Sequence, residues 1–260
     1  MGAIAGSGMK RCAAPGLLSA LAAALLAATP GGDGQRPLPP PNDPAWEVLE
    51  LPGVERATRY RASQEAGESV LEAVARCGGS ALAIALPDVD LAATPVLRWR
   101  WWAEQLPEGL DERTLAGDDF ATRVSVLFAV ERERAGWLEK VRHDLIGLVA
   151  GREMPDSALH FVWTVDVPPG TVWDNPRTDR AKNWALERGP ASGWREAAVD
   201  VERAYRAAFD RAPPPLLAVG VMTDGDDHCG TVRGRYADFR FAARQADRGV
   251  AAGIEAPSDP

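Results

Sequence analysis

Through Leu97-Arg98-Trp99-Arg100-Trp101-Trp102 and Gly117-Asp118-Asp119-Phe120-Ala121-Thr122-Arg123-Val124-Ser125-Val126-Leu127-Phe128, large apolar residues alternate with Arg, Ser or Trp at a period of two. Successive side chains of a strand point to opposite faces, so this spacing predicts strands with one face in a core and one free. Short segments of the same kind run from Trp46 onward, at 46–51, 57–62, 69–76, 80–86, 96–104, 121–131, 158–166, 182–188, 194–200, 215–222 and 235–241. Turn signals separate them, among them Pro52-Gly53, Gly78-Gly79, Pro107-Glu108-Gly109, Pro168-Pro169-Gly170 and Gly225-Asp226. Many short strands at close spacing predict an all-β sandwich or barrel, not alternating βαβ units. Two short helices interrupt the pattern. Residues 136–150 carry Trp137, Val141, Leu145 and Leu148 at helical spacing, and residues 201–210 carry Val201, Tyr205, Ala208 and Phe209 on one stripe before Pro213-Pro214-Pro215. Both are expected to cover an open end of the sandwich.

The first 32 residues fall outside that pattern. Lys10-Arg11 precede a run of Ala, Leu, Cys and Gly that ends at Thr29-Pro30-Gly31-Gly32, the layout of a secretory signal peptide. The apolar run is short and Ala-rich against the roughly 20 residues a membrane span needs, so no stable span is expected after cleavage. Residues 33–44 read as a Pro-rich linker, 45–242 as one sandwich domain and 243–260 as a disordered tail. The chain is therefore expected to be exported, to the periplasm or beyond the cell. Cys77 and Cys229 remain once the leader with Cys12 is gone. In an oxidising compartment they either form one disulfide, worth roughly 4–5 kcal/mol in the chain-entropy model, or stay as two separate buried thiols.

Charge narrows the partners. A formal net charge of -8 at pH 7 argues against nucleic acid, because phosphate binding needs a basic field. The only lysines are Lys10, Lys140 and Lys182, so arginine supplies nearly all the positive charge.

The polar strand positions are the candidate ligand site. Parity puts Arg98, Arg100 and Trp102 on the free face of one strand, and Asp119 and Arg123 on that of another. Asp119 and Arg123 would then stand roughly 13 Å apart, so Asp119 is expected to pair with Arg98 or Arg100 on a neighbouring strand. A guanidinium grips a carboxylate or sugar hydroxyls at fixed geometry, and an exposed indole offers a platform for a sugar ring. Asp118, His160 and Trp173 complete the set, whereas the parity of Trp99, Trp101 and Trp163 places them in the core. Asp224, Asp226 and Asp227 cluster at a Gly turn; they suit Ca²⁺, or simply make an acidic hairpin loop. His143, His160 and His228 stand alone, with no zinc spacing and no nucleophile elbow, so no catalytic residue is assigned.

The order of landmarks resembles a bacterial exported family, domain of unknown function 3047. The residues carrying the resemblance are the Trp46 strand, Pro95-Val96-Leu97-Arg98-Trp99-Arg100-Trp101, Gly117-Asp118-Asp119-Phe120, Leu159-His160-Phe161-Val162-Trp163, Asn175-Pro176, Gly193-Trp194-Arg195-Glu196, Met222-Thr223-Asp224-Gly225-Asp226-Asp227 and Tyr236-Ala237-Asp238-Phe239. The resemblance implies a jelly-roll-like antiparallel sandwich akin to galactose-binding and carbohydrate-binding modules, and supplies no activity. The chain departs from the family pattern after Asp227, where His228-Cys229-Gly230 precede Thr231. Two functions stay open. One is a non-catalytic binder of a glycan or other polar envelope ligand through an Arg/Asp/Trp face. The other is a glycan hydrolase with Asp118 or Asp119 as acid or base. A scaffold whose polar face is consumed by internal ion pairs is a third, plainer reading.

Overall fold

The computed structural model describes residues 35–86, 88–129 and 155–245. The expected helix at 136–150, the leader and most of the tail lie outside the described residues. What is described is a jelly-roll-like β-sandwich. One sheet has the order β11 (Arg195–Asp200), β6 (Val96–Gln105), β13 (Thr231–Ala242), β4 (Glu68–Arg76) and β3 (Arg59–Glu65), with β1 (Gln35–Pro37) also pairing with β13. The second runs β2 (Trp46–Glu50), β5 (Gly79–Ala85), β12 (Leu216–Asp224), β7 (Arg123–Ala129), β8 (Pro155–Thr164), β10 (Thr178–Arg188) and β9 (Val172–Asn175).

Alternation builds the core. On β6, Leu97, Trp99, Trp101 and Ala103 turn inward while Arg98, Arg100 and Trp102 turn out. Trp99 meets Trp101 edge-on at 5.4 Å, and Trp101 meets Trp163 of β8 at 5.7 Å, a contact that joins the two sheets. Burying such rings removes large apolar areas from water, the main stabilising contribution of a sandwich interior. Helix α1 (Val201–Phe209) starts on Asp200, whose side chain accepts from the Arg203 amide, and ends on Asp210 in the left-handed region. It seals one end by placing Tyr205 at 4.5 Å from Phe128. Just past the sandwich, Arg244 pairs with Asp200 and Glu202, so the first residues of the expected tail are anchored to this helix.

Two strands, β1 and β9, were not expected. β9 forms a hairpin with β10, and β10 inserts between β9 and β8. β10 therefore runs parallel to β8, the one departure from the antiparallel expectation among the described residues. No helix of the described residues is long and apolar enough to cross a membrane.

Candidate functional site

The alternating pattern stops short of Asp118 and Asp119. β7 begins at Arg123, and a 3-10 turn at Leu115–Gly117 delivers residues 118–122 as a loop. Asp118 can therefore fold back on Arg123, a pairing that strand parity does not offer. Arg123 Nη2 lies 3.4 Å from Asp118 Oδ1 and donates to the Asp118 carbonyl at 2.8 Å and to Asp224 Oδ2 at 2.9 Å. Its guanidinium sits 4.7 Å from the Phe120 ring centroid. Asp118 also accepts from Asn183 and Asn175, each at 3.3 Å, and meets Arg177 at 3.5 Å. Asp119 is held by the amides of Asp227 and His228 and by a short contact to the His228 ring. All of this lies on the outer side of the second sheet, yet Asp118, Asp119, Arg123 and Asp224 are 2%, 0%, 4% and 2% exposed.

The loop between β12 and β13 closes over the cluster. Cys77 and Cys229 form a disulfide, the Cys77 amide donates to Gly230 O at 2.9 Å, and the Gly225 amide donates to Gly78 O at 3.0 Å. A Cβ at Gly79 would stand 2.7 Å from Asp226 Oδ1, so a larger residue there would displace that carboxylate. The result alters the expected metal set. Oxygens of Asp119, Asp224 and Asp226 lie within 4.8 Å of one another, whereas Asp227 turns away to pair with Arg177. Burial first, and then Asp118, Asp119 and Asp226, push the Asp224 carboxyl well above the usual carboxylate range, against the pull of Arg123. Asp226 is raised by burial and by Asp119 and Asp227. Burial opposes the charge of Arg123, and Asp118, Asp224 and Asp119 more than offset it.

His160 and Trp173 share this outer surface. Register aligns Trp173, Asn183, His160 and Ser125 in one row across β9, β10, β8 and β7. Ser125 Oγ and His160 Nδ1 are 2.8 Å apart, a pair that the sequence reading missed although both fall on the outward parity of Arg123. Burial and the nearby Arg123 charge push His160 down to about 3, so it is neutral at pH 7 and a weak base for serine activation. Trp173 is half-buried, with its Nε1 buried and unpartnered.

Arg98, Arg100 and Trp102 do face outward, but from the first sheet, on the opposite side of the sandwich. The single Arg/Asp/Trp face is thus two faces, and Asp119 pairs with neither Arg98 nor Arg100. Instead Arg100 pairs with Glu68 and lies 5.0 Å from the Trp194 ring, while Arg235 pairs with Glu65 and Glu104 and lies 5.3 Å from Trp102. The indole N–H groups donate to Ala191 O from Trp102 and to Glu65 from Trp194. Trp194, just before β11, and Arg235 of β13 went unrecognised because the pairing of those strands with β6 is non-local. A cavity of about 380 Å³ opens beside α1, along Pro213-Pro214-Pro215, and none of the expected site residues lines it.

A family model described as Protein of unknown function (DUF3047) matches residues 44–240. The chain belongs to that family. No curated protein matches it in sequence. Among solved structures, a family 11 carbohydrate-binding module of Clostridium thermocellum is similar at 8% identity and a TM-score of 0.42, over 84% of this chain and all of that one. A xyloglucanase domain of NopAA from Sinorhizobium fredii aligns at 8% identity and 0.38, over 76% of this chain and 98% of its own. A cellulase variant derived from Rhodothermus marinus aligns at 12% and 0.40, over 77% and 92%. Likeness at that level leaves the ligand to be read from the DUF3047 chain's own residues. His228-Cys229-Gly230 supply both the imidazole on Asp119 and the sulfur bonded to Cys77.

Proposed function

We propose that this DUF3047 chain is an exported, ligand-binding β-sandwich that recognises a glycan or similar polar envelope ligand on the outer face of its first sheet. The observation that carries this reading is the pairing of partly exposed cations with indoles there. The Arg100 and Arg235 side chains are 24% and 20% exposed, and they sit over Trp194 and Trp102. Guanidinium forks would bind hydroxyls or carboxylates while the rings give apolar sugar faces a surface. Asp118, Asp119 and Arg123 then act as an internal lock, since they are buried and already hydrogen-bonded. Their burial also weighs against the hydrolase reading, which needs a carboxyl open to a cleft. Export is supported by the leader and by a disulfide of the kind that persists in oxidising compartments.

One observation favours a second element, a bound Ca²⁺. Five carboxylates, Asp118, Asp119, Asp224, Asp226 and Asp227, gather around two guanidiniums, Arg123 and Arg177, and the His228 imidazole. A cation between Asp119, Asp224 and Asp226 would relieve that imbalance. The test is a glycan array probed with the secreted chain, with calcium and with chelator. Binding to at least one glycan class, lost in Trp102→Ala and Trp194→Ala, is expected. Absence of binding to every glycan, or release of cleaved sugars, would reject the binder.

A further inference from the structure

The outer face of the first sheet is richer in positive charge than an acidic chain would suggest. Register aligns Arg59 of β3, Val74 of β4 and Arg233 of β13 in one row. The next row holds Arg61, Glu72 and Arg235, and the row on the other side holds Arg76 and Thr231. Strand spacing places Arg59 and Arg233 about 10 Å apart, with Arg61 and Arg76 about 7 Å along the strands to either side. Farther across the face, Arg98 is paired in register with Arg240.

Three of the arginines on this face are neutralised: Arg100 by Glu68, Arg235 by Glu65 and Glu104, and Arg240 by Asp238. Arg59, Arg61, Arg76, Arg98 and Arg233 make no ion pair among the described residues, and Arg233 donates only to the neutral Gln105 side chain. Arg59, Arg61 and Arg76 are exposed. Unpaired like charges this close repel one another, a standing cost that an anionic ligand would remove.

We infer that this face takes an acidic polysaccharide, a uronate-bearing chain lying along the strands beside Trp102 and Trp194. The inference rests on the ligand face proposed above and adds the charge of the ligand. Planar guanidinium forks match carboxylates in bidentate fashion, and rows of them match the regular recurrence of carboxylates along a polyuronate. An anionic lipid surface fits less well, because the exposed large apolar residues among those described, Val48, Leu115 and Val172, all lie off this face. Nucleic acid fits less well too. Its charge recurs about every 1.7 Å of duplex and extends past the face, where a chain of net charge -8 repels it.

Affinity electrophoresis of the full chain through gels holding polygalacturonate, a neutral β-glucan or single-stranded DNA tests this. Polygalacturonate should retard the protein most, and added salt should weaken the retardation. The triple variant Arg59→Gln/Arg61→Gln/Arg233→Gln should bind about tenfold more weakly, with a thermal midpoint no lower than that of the parent chain. Glu72→Gln, which removes the carboxylate between Arg61 and Arg235, should bind more tightly. Equal retardation by the neutral glucan would overturn the charge preference and leave the glycan reading standing. Strongest retardation by DNA, or an unchanged affinity in both variants, would overturn the inference. No retardation in any gel would remove the glycan reading itself.

Discussion

Replacing Arg123 by Met keeps most of the apolar stem over Phe120 and removes the charge that serves Asp118 and Asp224. Both carboxyls are about 2% exposed, and their cation lies 3.4 and 2.9 Å away. Breaking a buried ion pair from one side typically costs about 3–5 kcal/mol, because the orphaned charge stays out of water. Two carboxylates share the loss here, yet Asp118 retains Asn175, Asn183 and Arg177, so the middle of that range is expected. The cost should depend on pH with a definite sign. Asp224 already has a raised folded-state pKa, and losing Arg123 raises it further. A carboxyl raised above its unfolded value destabilises increasingly as pH climbs from the unfolded pKa to the folded one. The penalty should therefore be smaller at pH 5 than at pH 7.5. Urea denaturation of the disulfide-intact protein at the two pH values measures it, and Asp224→Asn added to Arg123→Met should recover part of the loss. A cost below about 1 kcal/mol at pH 7.5, or one indifferent to pH, would show that the buried lock does not exist.

Reducing the disulfide, or Cys77→Ser with Cys229→Ser, should lower the thermal midpoint by an amount equivalent to about 3–5 kcal/mol, given the 152-residue separation; an unchanged scan under reductant would refute it. His160 favours the neutral form in the folded state, so its contribution is present above its unfolded pKa near 6.5 and is lost as pH falls toward about 3. His160→Gln should flatten that acid limb in a stability-versus-pH series, and an unaltered limb would count against the neutral imidazole. Asp226→Asn should raise stability by a few tenths to about 1 kcal/mol at pH 7 in chelator, since it removes one partly exposed carboxylate from a crowded set. It should also abolish any stabilisation by added Ca²⁺; calorimetric scans with and without the ion decide both.

The positions of most strands were legible because alternation is a local signal. Residues 96–104 were read as a strand and Val96–Gln105 form one; residues 69–76 were read and Glu68–Arg76 form one. The same signal says which side chains leave the core, and it does so correctly for Arg98, Arg100, Trp102 and Arg123. It cannot say which of two outward faces they reach. A sandwich has two, and sheet membership follows from non-local pairing such as β6 with β11 and β13. That is why residues of opposite faces were read as one groove. The acidic turn obeys a different rule. Asp227 follows Asp226 directly in a tight turn, so only one of the two can face Asp119, and the turn geometry chooses Asp226. Asp119 itself reaches the cluster from a loop that alternation extended as strand. The disulfide joins positions 152 residues apart, beyond any local reading.

Hydrogen–deuterium exchange of the chain, free and saturated with a glycan that it binds, tests the central assignment most directly. The account predicts slowed exchange along β6 and β13 and through residues 191–196. Protection centred instead on 118–123 and on β8 and β10, with the first sheet unchanged, would contradict it and return the ligand to the opposite side of the sandwich.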